Sequence, residues 1–104
     1  MTRIGQPYTS GIWTTQSGRE DDFIAEWSDF TEWSLQNSPG AESFVLIQDS
    51  GDPRHFISFG AWADEESVSA WRGGSEFGER LGRCRALCDE FEAHDYTVAA
   101  APAR

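Results

Sequence analysis

Apolar residues recur along this chain at spacings that alternate between those typical of strands and those typical of helices. Residues 8–15 (YTSGIWTT) are rich in β-branched and aromatic side chains and are followed by Gly18, which predicts a first strand. The next stretch predicts an amphipathic helix, because its non-polar face repeats at the helical spacing. That face carries Phe23, Trp27, Phe30 and Ser34, with Ile24 and Thr31 alongside.

The predicted first helix has a recognisable start and end. Residues 17–20 (SGRE) match a capping box, in which Ser17 and Glu20 would bond to free amides at the helix start. Acidic residues 20–22 suit the positive end of the helix dipole. Residues 37–40 (NSPG) predict where the helix ends.

Two further strands follow and are joined by a tight turn. Residues 43–49 (SFVLIQD) and 54–62 (RHFISFGAW) predict strands, and residues 49–53 (DSGDP) predict a hairpin-type turn. Alternation along the third strand predicts two faces. One face would carry His55, Ile57, Phe59 and Ala61, and the other Phe56, Ser58, Gly60 and Trp62.

The last third of the chain predicts two helices and a strand. Asp64 is expected to cap a short helix with Val68 and Trp71, which residues 72–74 (RGG) would end. Ser75 is expected to cap a third helix with a long stripe that places both cysteines on one face: Phe77, Leu81, Cys84, Cys88 and Phe91. Residues 92–99 alternate and predict a fourth strand, with His94, Tyr96 and Val98 on one side.

The predicted order β-α-β-β-α-β, with the second α split, indicates a ferredoxin-like α+β fold with helices on one face of a four-stranded antiparallel sheet. We expect residues 1–104 to form one domain, with a core at about 8–99. The third strand has apolar side chains on both faces, so the second face also needs a cover. We therefore expect a homodimer in which two copies pack sheet against sheet.

Composition narrows the function classes. The chain has 8 basic residues, all arginine, against 18 acidic ones, a formal charge of −10, which opposes binding to nucleic acid or anionic membranes. Without lysine there is no Schiff-base or P-loop lysine, and two histidines cannot form a three-His zinc site. The beginning of the sequence lacks the apolar stretch of a signal peptide, so we expect a cytoplasmic protein with both thiols reduced.

Several segments together resemble the antibiotic biosynthesis monooxygenase (ABM) domain family. The resemblance is carried by residues 56–66 (FISFGAWADEE), then Val68, Trp71 and residues 75–77 (SEF), together with residues 17–20, Phe23, Trp27 and residues 38–41 (SPGA). It covers roughly residues 8–99. The family implies a dimeric α+β barrel with a ligand cavity between helices and sheet. Some members are cofactor-independent oxygenases of aromatic polyketides or quinols, and others degrade haem.

The resemblance also suggests individual site residues. Trp62 matches a Trp that closes the third strand of quinone-forming members, whereas their Asn falls on Ser58 and their Tyr on Val68. Their Arg on the last helix lies near Arg80 and Arg83. Among haem-degrading members, a Trp matches Trp71, the axial His falls on Leu81, and a first-strand Asn falls near Gly11. Because no imidazole aligns with that ligand, haem ligation of this type is not expected.

An oxygenase without a cofactor needs flat apolar walls and a polar group that stabilises a phenolate. We predict Trp62, His94, Ser58 and Arg83 as catalytic candidates. We expect the ligand pocket to contain Trp13, Trp27, Trp71, Phe77 and Tyr96, with no metal and no cofactor. Trp27 and Trp33 cannot both face the same way, so one would line the cavity or the dimer seam.

Two function classes remain open from the sequence, and haem binding is a third, lower possibility that a hemin titration without a Soret shift would remove. The first is a small cofactor-independent monooxygenase acting on an aromatic polyketide or quinol-type molecule. The second is a non-catalytic small-ligand-binding or structural dimer of the same fold, which the replaced Asn and Tyr positions favour. In both classes the predicted partners are a second copy of the chain and a small aromatic ligand.

Overall fold

The computed structural model describes residues 2–104 and confirms the predicted order of elements. That order is β1 (Pro7–Thr15), α1 (Glu20–Asn37), β2 (Ala41–Asp49), β3 (Asp52–Trp62), α2 (Glu65–Arg72), α3 (Ser75–Arg85) and β4 (Cys88–Thr97). The strands form one antiparallel sheet in the order β2-β3-β1-β4. The α+β ferredoxin-like fold is therefore confirmed.

The helices cover the inner face of the sheet, and most of the core lies between these two layers. The buried apolar side chains of this core are Trp13, Phe23, Trp27, Phe30, Phe56, Trp62, Val68, Trp71, Cys84 and Leu87. The predicted face of α1 is confirmed, since Phe23, Trp27, Phe30, Thr31 and Ser34 are its buried residues. Within residues 2–104, no helix combines the length and the apolar character needed to cross a membrane.

The outer face of the sheet is apolar and uncovered in the single chain. Phe56, Ser58, Gly60 and Trp62 of β3 are buried beneath the helices, as the alternation predicts. Ile57 and Phe59 point to the other side and are only half-buried. Their neighbours across the sheet on β2 are Ile47 and Val45, which are 49% and 51% exposed. As the sequence predicts, β3 therefore has apolar side chains on both faces of the sheet.

Two of the three predicted helix starts differ from the structure. The N-cap of α1 is Arg19 and not Ser17, and no side chain caps this end. Gly18 has a φ of +84°, a conformation that glycine adopts without strain, and this turn shifts the helix start beyond Ser17. Gly74 is the N-cap of α3, so Ser75 is its first residue. Asp64 does cap α2, where its side chain accepts a bond from the Ser67 N–H at 2.8 Å.

The predicted helical stripe through Phe91 is wrong in its second half. Helix α3 ends at Arg85, and Cys88 is the first residue of β4, so the two cysteines do not share a helix face. The stripe misleads because every residue in it faces the same core, first from a helix and then from a strand. Burial raises the pKa of the Cys84 thiol to about 12, so it is a neutral core group at physiological pH.

Candidate functional site

A small cavity of about 60 Å³ lies between the helices and the inner face of the sheet. Strands β1 and β3 form its floor, and α1, α2 and α3 form its roof and sides. Its lining is mainly aromatic and aliphatic, with a few hydroxyl groups: Thr9, Ser10, Gly11, Trp13, Trp27, Phe30, Thr31, Phe44, Ser58, Phe59, Gly60, Trp71, Arg72, Phe77, Leu81 and Phe91. The chemistry of this lining suits a flat apolar ligand with a small number of polar atoms. A cavity that takes up a benzene ring has a volume of about 150 Å³, so a ring would enter this one only if the side chains of the wall moved apart.

The aromatic walls are held in place by ring–ring packing. The Trp71 ring stacks on Phe30 with a centroid distance of 5.7 Å and meets the edge of Phe77 at 4.6 Å. On the other side, the Trp13 ring lies 4.1 Å from that of Phe91. Because these rings come from all three helices and from strands β1 and β4, the walls form only when the whole fold is assembled.

Polar atoms enter the cavity from the floor of the sheet. The Trp13 indole N–H donates to Ser58 Oγ at 3.0 Å, and the Trp62 indole N–H donates to Thr9 Oγ1 at 3.1 Å. Trp62 itself is completely buried, with its ring centroid 4.7 Å from that of Trp71. Trp62 therefore supports the wall and the floor from behind and does not line the cavity.

Arg72 is the one ionisable side chain among the residues that line the cavity. It lies at the end of α2 and forms two hydrogen bonds to Asp95 of β4, Nη1 to Oδ2 at 2.7 Å and Nη2 to Oδ1 at 2.5 Å. These hydrogen bonds raise the pKa of Arg72 and lower the pKa of Asp95, so both groups stay charged at neutral pH. An ion pair thus lies beside the aromatic cavity, and its positive member, Arg72, is the one that lines it.

A larger groove of about 410 Å³ lies on the outer side of the Arg72–Asp95 ion pair. It is lined by Pro7, Tyr8, Thr9, Glu65, Val68, Ser69, Arg72, Asp95, Tyr96 and Thr97. Thr9 and Arg72 line both the groove and the inner cavity. These two residues therefore mark the place where a ligand longer than the cavity would extend into the groove.

Most of the predicted pocket residues come together at the cavity. Trp13, Trp27, Trp71 and Phe77 line it, as does Ser58, which was predicted as a catalytic candidate. Of the two α1 tryptophans that cannot share a face, Trp27 is the one at the cavity. Trp33 instead lies beneath the Arg80 guanidinium at 4.9 Å.

Besides Trp62, which lies behind the wall, three predicted site residues lie away from the cavity. His94 and Tyr96 are on the outer face of β4, where their backbone partners on β1 are Ser10 and Tyr8. Tyr96 reaches the groove, but it does not line the inner cavity. Arg83 is exposed on α3 and pairs with Glu79 at 2.9 Å. The sheet therefore separates the His94 and Tyr96 side chains of β4 from the inner cavity.

Two residues that the sequence analysis did not select are at the centre of this site. Arg72 was read only as part of the sequence that ends a helix, and Thr9 only as part of a strand. The ion pair of Arg72 joins residues that are 23 positions apart, so no local pattern could reveal it. The inward direction of Thr9 could be read from its alternation with Trp13, since both lie at odd positions of β1.

Among the described residues, the lining of the cavity contains no histidine and no cysteine. Leu81 lines the cavity at the position where haem-degrading relatives would carry their axial His, and no histidine is among the lining residues. Within residues 2–104, no group of three or more His, Cys, Asp or Glu side chains is placed to hold a metal ion.

Comparison with solved structures finds the same fold at low identity. A cofactor-independent oxygenase from Streptomyces nogalater, SnoaB (N63A mutant), superimposes with a TM-score of 0.85 at 14% identity, covering 93% of this chain and 96% of that one. A conserved protein from Methanosarcina mazei Go1 gives 0.79 at 17% identity, with 90% and 93% covered. A Chloroflexus aurantiacus protein assigned to the antibiotic biosynthesis monooxygenases gives 0.74 at 21%, with 94% and 97% covered.

At these identities the structural likeness concerns the fold. No curated protein matches the chain by sequence. The family model for antibiotic biosynthesis monooxygenase, however, matches residues 12–80, which is well over half of the chain and includes most of the cavity lining. The chain therefore belongs to the antibiotic biosynthesis monooxygenase (ABM) family.

Proposed function

We propose that this protein is a cofactor-independent oxygenase that acts on a planar, electron-rich phenol or quinol bound in the aromatic cavity. The observation that carries the proposal is an aromatic cavity with one cation, Arg72, at its edge. Membership of the family and the likeness to SnoaB, which is named a cofactor-independent oxygenase, support the same reaction class.

In this chemistry the substrate supplies the electrons. A ring C–H carbon of the phenol, which carries two hydrogens in the keto tautomer, is oxidised to a carbonyl while dioxygen is reduced; one oxygen atom enters the product, and the other leaves as water with the ring hydrogen and the phenolic hydrogen. The substrate must first lose a phenolic proton, because the phenolate is the form that gives an electron to oxygen readily. A positive group beside the phenolate favours this form by lowering the pKa of the phenol.

In the proposed reaction, aromatic residues bind the ring and two polar residues bind its oxygen atoms. Trp13, Trp71 and Phe77 would hold the ring and keep water away, which strengthens electrostatic interactions inside the cavity. Arg72 would stabilise the phenolate, and Ser58 would donate a hydrogen bond to a substrate oxygen. None of the described residues that line the cavity is a carboxylate or a histidine, so substrate deprotonation would depend on a lowered phenol pKa and on solvent as the proton acceptor.

A second candidate is a binding protein that has the same cavity without the reaction. It is favoured by Ser58 and Val68, which stand where the quinone-forming relatives have Asn and Tyr. Val68 is a buried core residue and supplies no polar group. Such a protein would bind aromatic ligands without consuming oxygen.

Oxygen uptake separates the two candidates. We expect a purified, metal-free sample to consume oxygen with an anthrone or a hydroquinone faster than the substrate autoxidises. The control is heat-denatured protein at the same concentration, which retains any adventitious metal. Uptake equal to the autoxidation rate, together with saturable quenching of tryptophan fluorescence by the same compound, would favour the binding protein.

We also propose that the protein is a homodimer that buries the outer face of the sheet. Val45, Ile47, Ile57 and Phe59 form an apolar patch across β2 and β3, although the chain as a whole carries a charge of −10. A second copy offers the same apolar surface and is therefore a suitable cover. Patches of this kind are rarely left in water.

Val45→Asp is expected to convert the dimer to a monomer, because the introduced carboxylate would be buried against the partner. Light scattering coupled to gel filtration should give about twice 11.6 kDa for the wild type and 11.6 kDa for the variant. Glu42→Asp, a conservative change elsewhere on the same strand, serves as the control. A mass of 11.6 kDa for the wild type at micromolar concentration would contradict the proposal.

A further inference from the structure

Three buried tryptophans each donate an indole N–H to a side-chain hydroxyl, but these hydroxyls are not equivalent. The pairs are Trp13 with Ser58 at 3.0 Å, Trp62 with Thr9 at 3.1 Å, and Trp71 with Ser34 at 2.9 Å. An indole N–H can only donate, so each hydroxyl oxygen is the acceptor and its own hydrogen remains available.

The three hydroxyls differ in whether they also donate a hydrogen bond. Ser34 donates to the backbone oxygen of Phe30 at 2.8 Å, so both of its roles are filled. Within residues 2–104, neither the Thr9 hydroxyl nor the Ser58 hydroxyl donates a hydrogen bond to another protein group; each only accepts one from an indole. Each of these two residues is only 8% exposed, and both line the aromatic cavity. Most buried polar groups use their hydrogen-bonding capacity, so two buried hydroxyls that donate to no protein group are available to a ligand or a water molecule.

Two glycines keep these hydroxyls accessible on the sheet floor. Thr9 faces Gly60 across the sheet, and Ser58 faces Gly11, so the two hydroxyls lie on a diagonal of the inner face. A Cβ atom at position 60 would lie 2.7 Å from Thr9 Oγ1, and one at position 11 would lie 2.9 Å from Ser58 Oγ. Larger residues at either glycine would push into the hydroxyl that faces it.

We propose that Thr9 and Ser58 form a pair of hydrogen-bond donors that recognises oxygen atoms on a planar aromatic ligand. Donation from the indoles holds the two hydroxyl oxygens and polarises them, which makes their hydrogens better donors. The pair selects phenols, quinols and quinones over hydrocarbons of the same shape. This inference rests on the proposed ligand cavity and adds Thr9 to it as a specificity-determining residue.

The test compares 1-naphthol with naphthalene, two ligands of similar shape that differ by one oxygen. Indole N–H resonances of the five tryptophans report binding in NMR titrations of the intact protein. We expect the wild type to bind 1-naphthol more tightly. The affinity ratio between the two ligands should fall about three- to tenfold in Thr9→Val and in Ser58→Ala, since each loses one hydrogen bond to the ligand.

Two control variants separate recognition from packing. Thr9→Ser keeps the hydroxyl and should keep the wild-type ratio. Ser34→Ala removes the hydroxyl whose hydrogen is already used, so it should also keep that ratio even if the protein becomes less stable. An unchanged ratio in both Thr9→Val and Ser58→Ala, with both ligands still bound, would overturn the donor pair and leave the cavity as a ligand site. Failure of the wild type to bind either ligand would instead contradict the aromatic cavity as a binding site, and the donor pair with it.

Discussion

Replacing Trp62 by alanine is expected to lower the free energy of unfolding by about 3–5 kcal/mol, the usual range for a large aromatic residue removed from a core. Trp62 is completely buried, packs against Trp71 at 4.7 Å and meets Phe44 edge-on at 5.8 Å. The substitution also leaves Thr9 Oγ1 without the indole that donates to it. Urea denaturation followed by circular dichroism measures the change.

Trp33→Ala provides the matched control for this loss. Trp33 is on the same helix layer but is only partly buried, at the margin of the core, and lies under the Arg80 guanidinium at 4.9 Å. We expect a smaller loss there than at Trp62, because less of the ring is removed from water and a cation–π contact contributes only about 0.5–2 kcal/mol. Equal losses in the two variants would show that Trp62 is not a central support of the core.

Replacing Arg72 by glutamine is expected to lower kcat/KM for a phenolic substrate by about 10- to 100-fold, the range for the loss of a hydrogen bond to a charged group. Among the described residues that line the cavity, Arg72 is the only cation, so glutamine removes the charge that would stabilise the phenolate. Oxygen uptake under initial-rate conditions measures the effect. The ion pair with Asp95 is half-exposed, so its loss should cost little stability.

The pH profile of kcat gives a second readout for Arg72. A nearby cation lowers the pKa of a bound phenol, so its removal should raise that pKa and move the rise in kcat to higher pH. Arg83→Gln is the control, since Arg83 is exposed on α3 and pairs with Glu79 away from the cavity. An unchanged rate and profile in Arg72→Gln would refute the role of Arg72 in phenolate binding.

The periodicity of apolar residues was sufficient to predict the order of helices and strands. A buried helix face repeats about every 3.6 residues and a buried strand face every second residue. Phe23, Trp27 and Phe30 repeat at the helical period and lie on the buried face of α1. The alternation in β3 likewise separates the buried Trp62 from the half-buried Phe59. Periodicity failed at Cys88, where a strand continues the spacing of a helix because both elements face the same core.

The sequence by itself determined which residues are apolar walls, since Trp13, Trp27 and Trp71 were predicted for the pocket and do line the cavity. Which polar groups reach those walls was decided by tertiary structure alone. Arg72 is held by Asp95 through a contact across the fold, and Thr9 Oγ1 accepts a hydrogen bond from the Trp62 indole of a neighbouring strand. Burial follows local periodicity, whereas hydrogen-bond partners depend on how strands and helices are brought together in space.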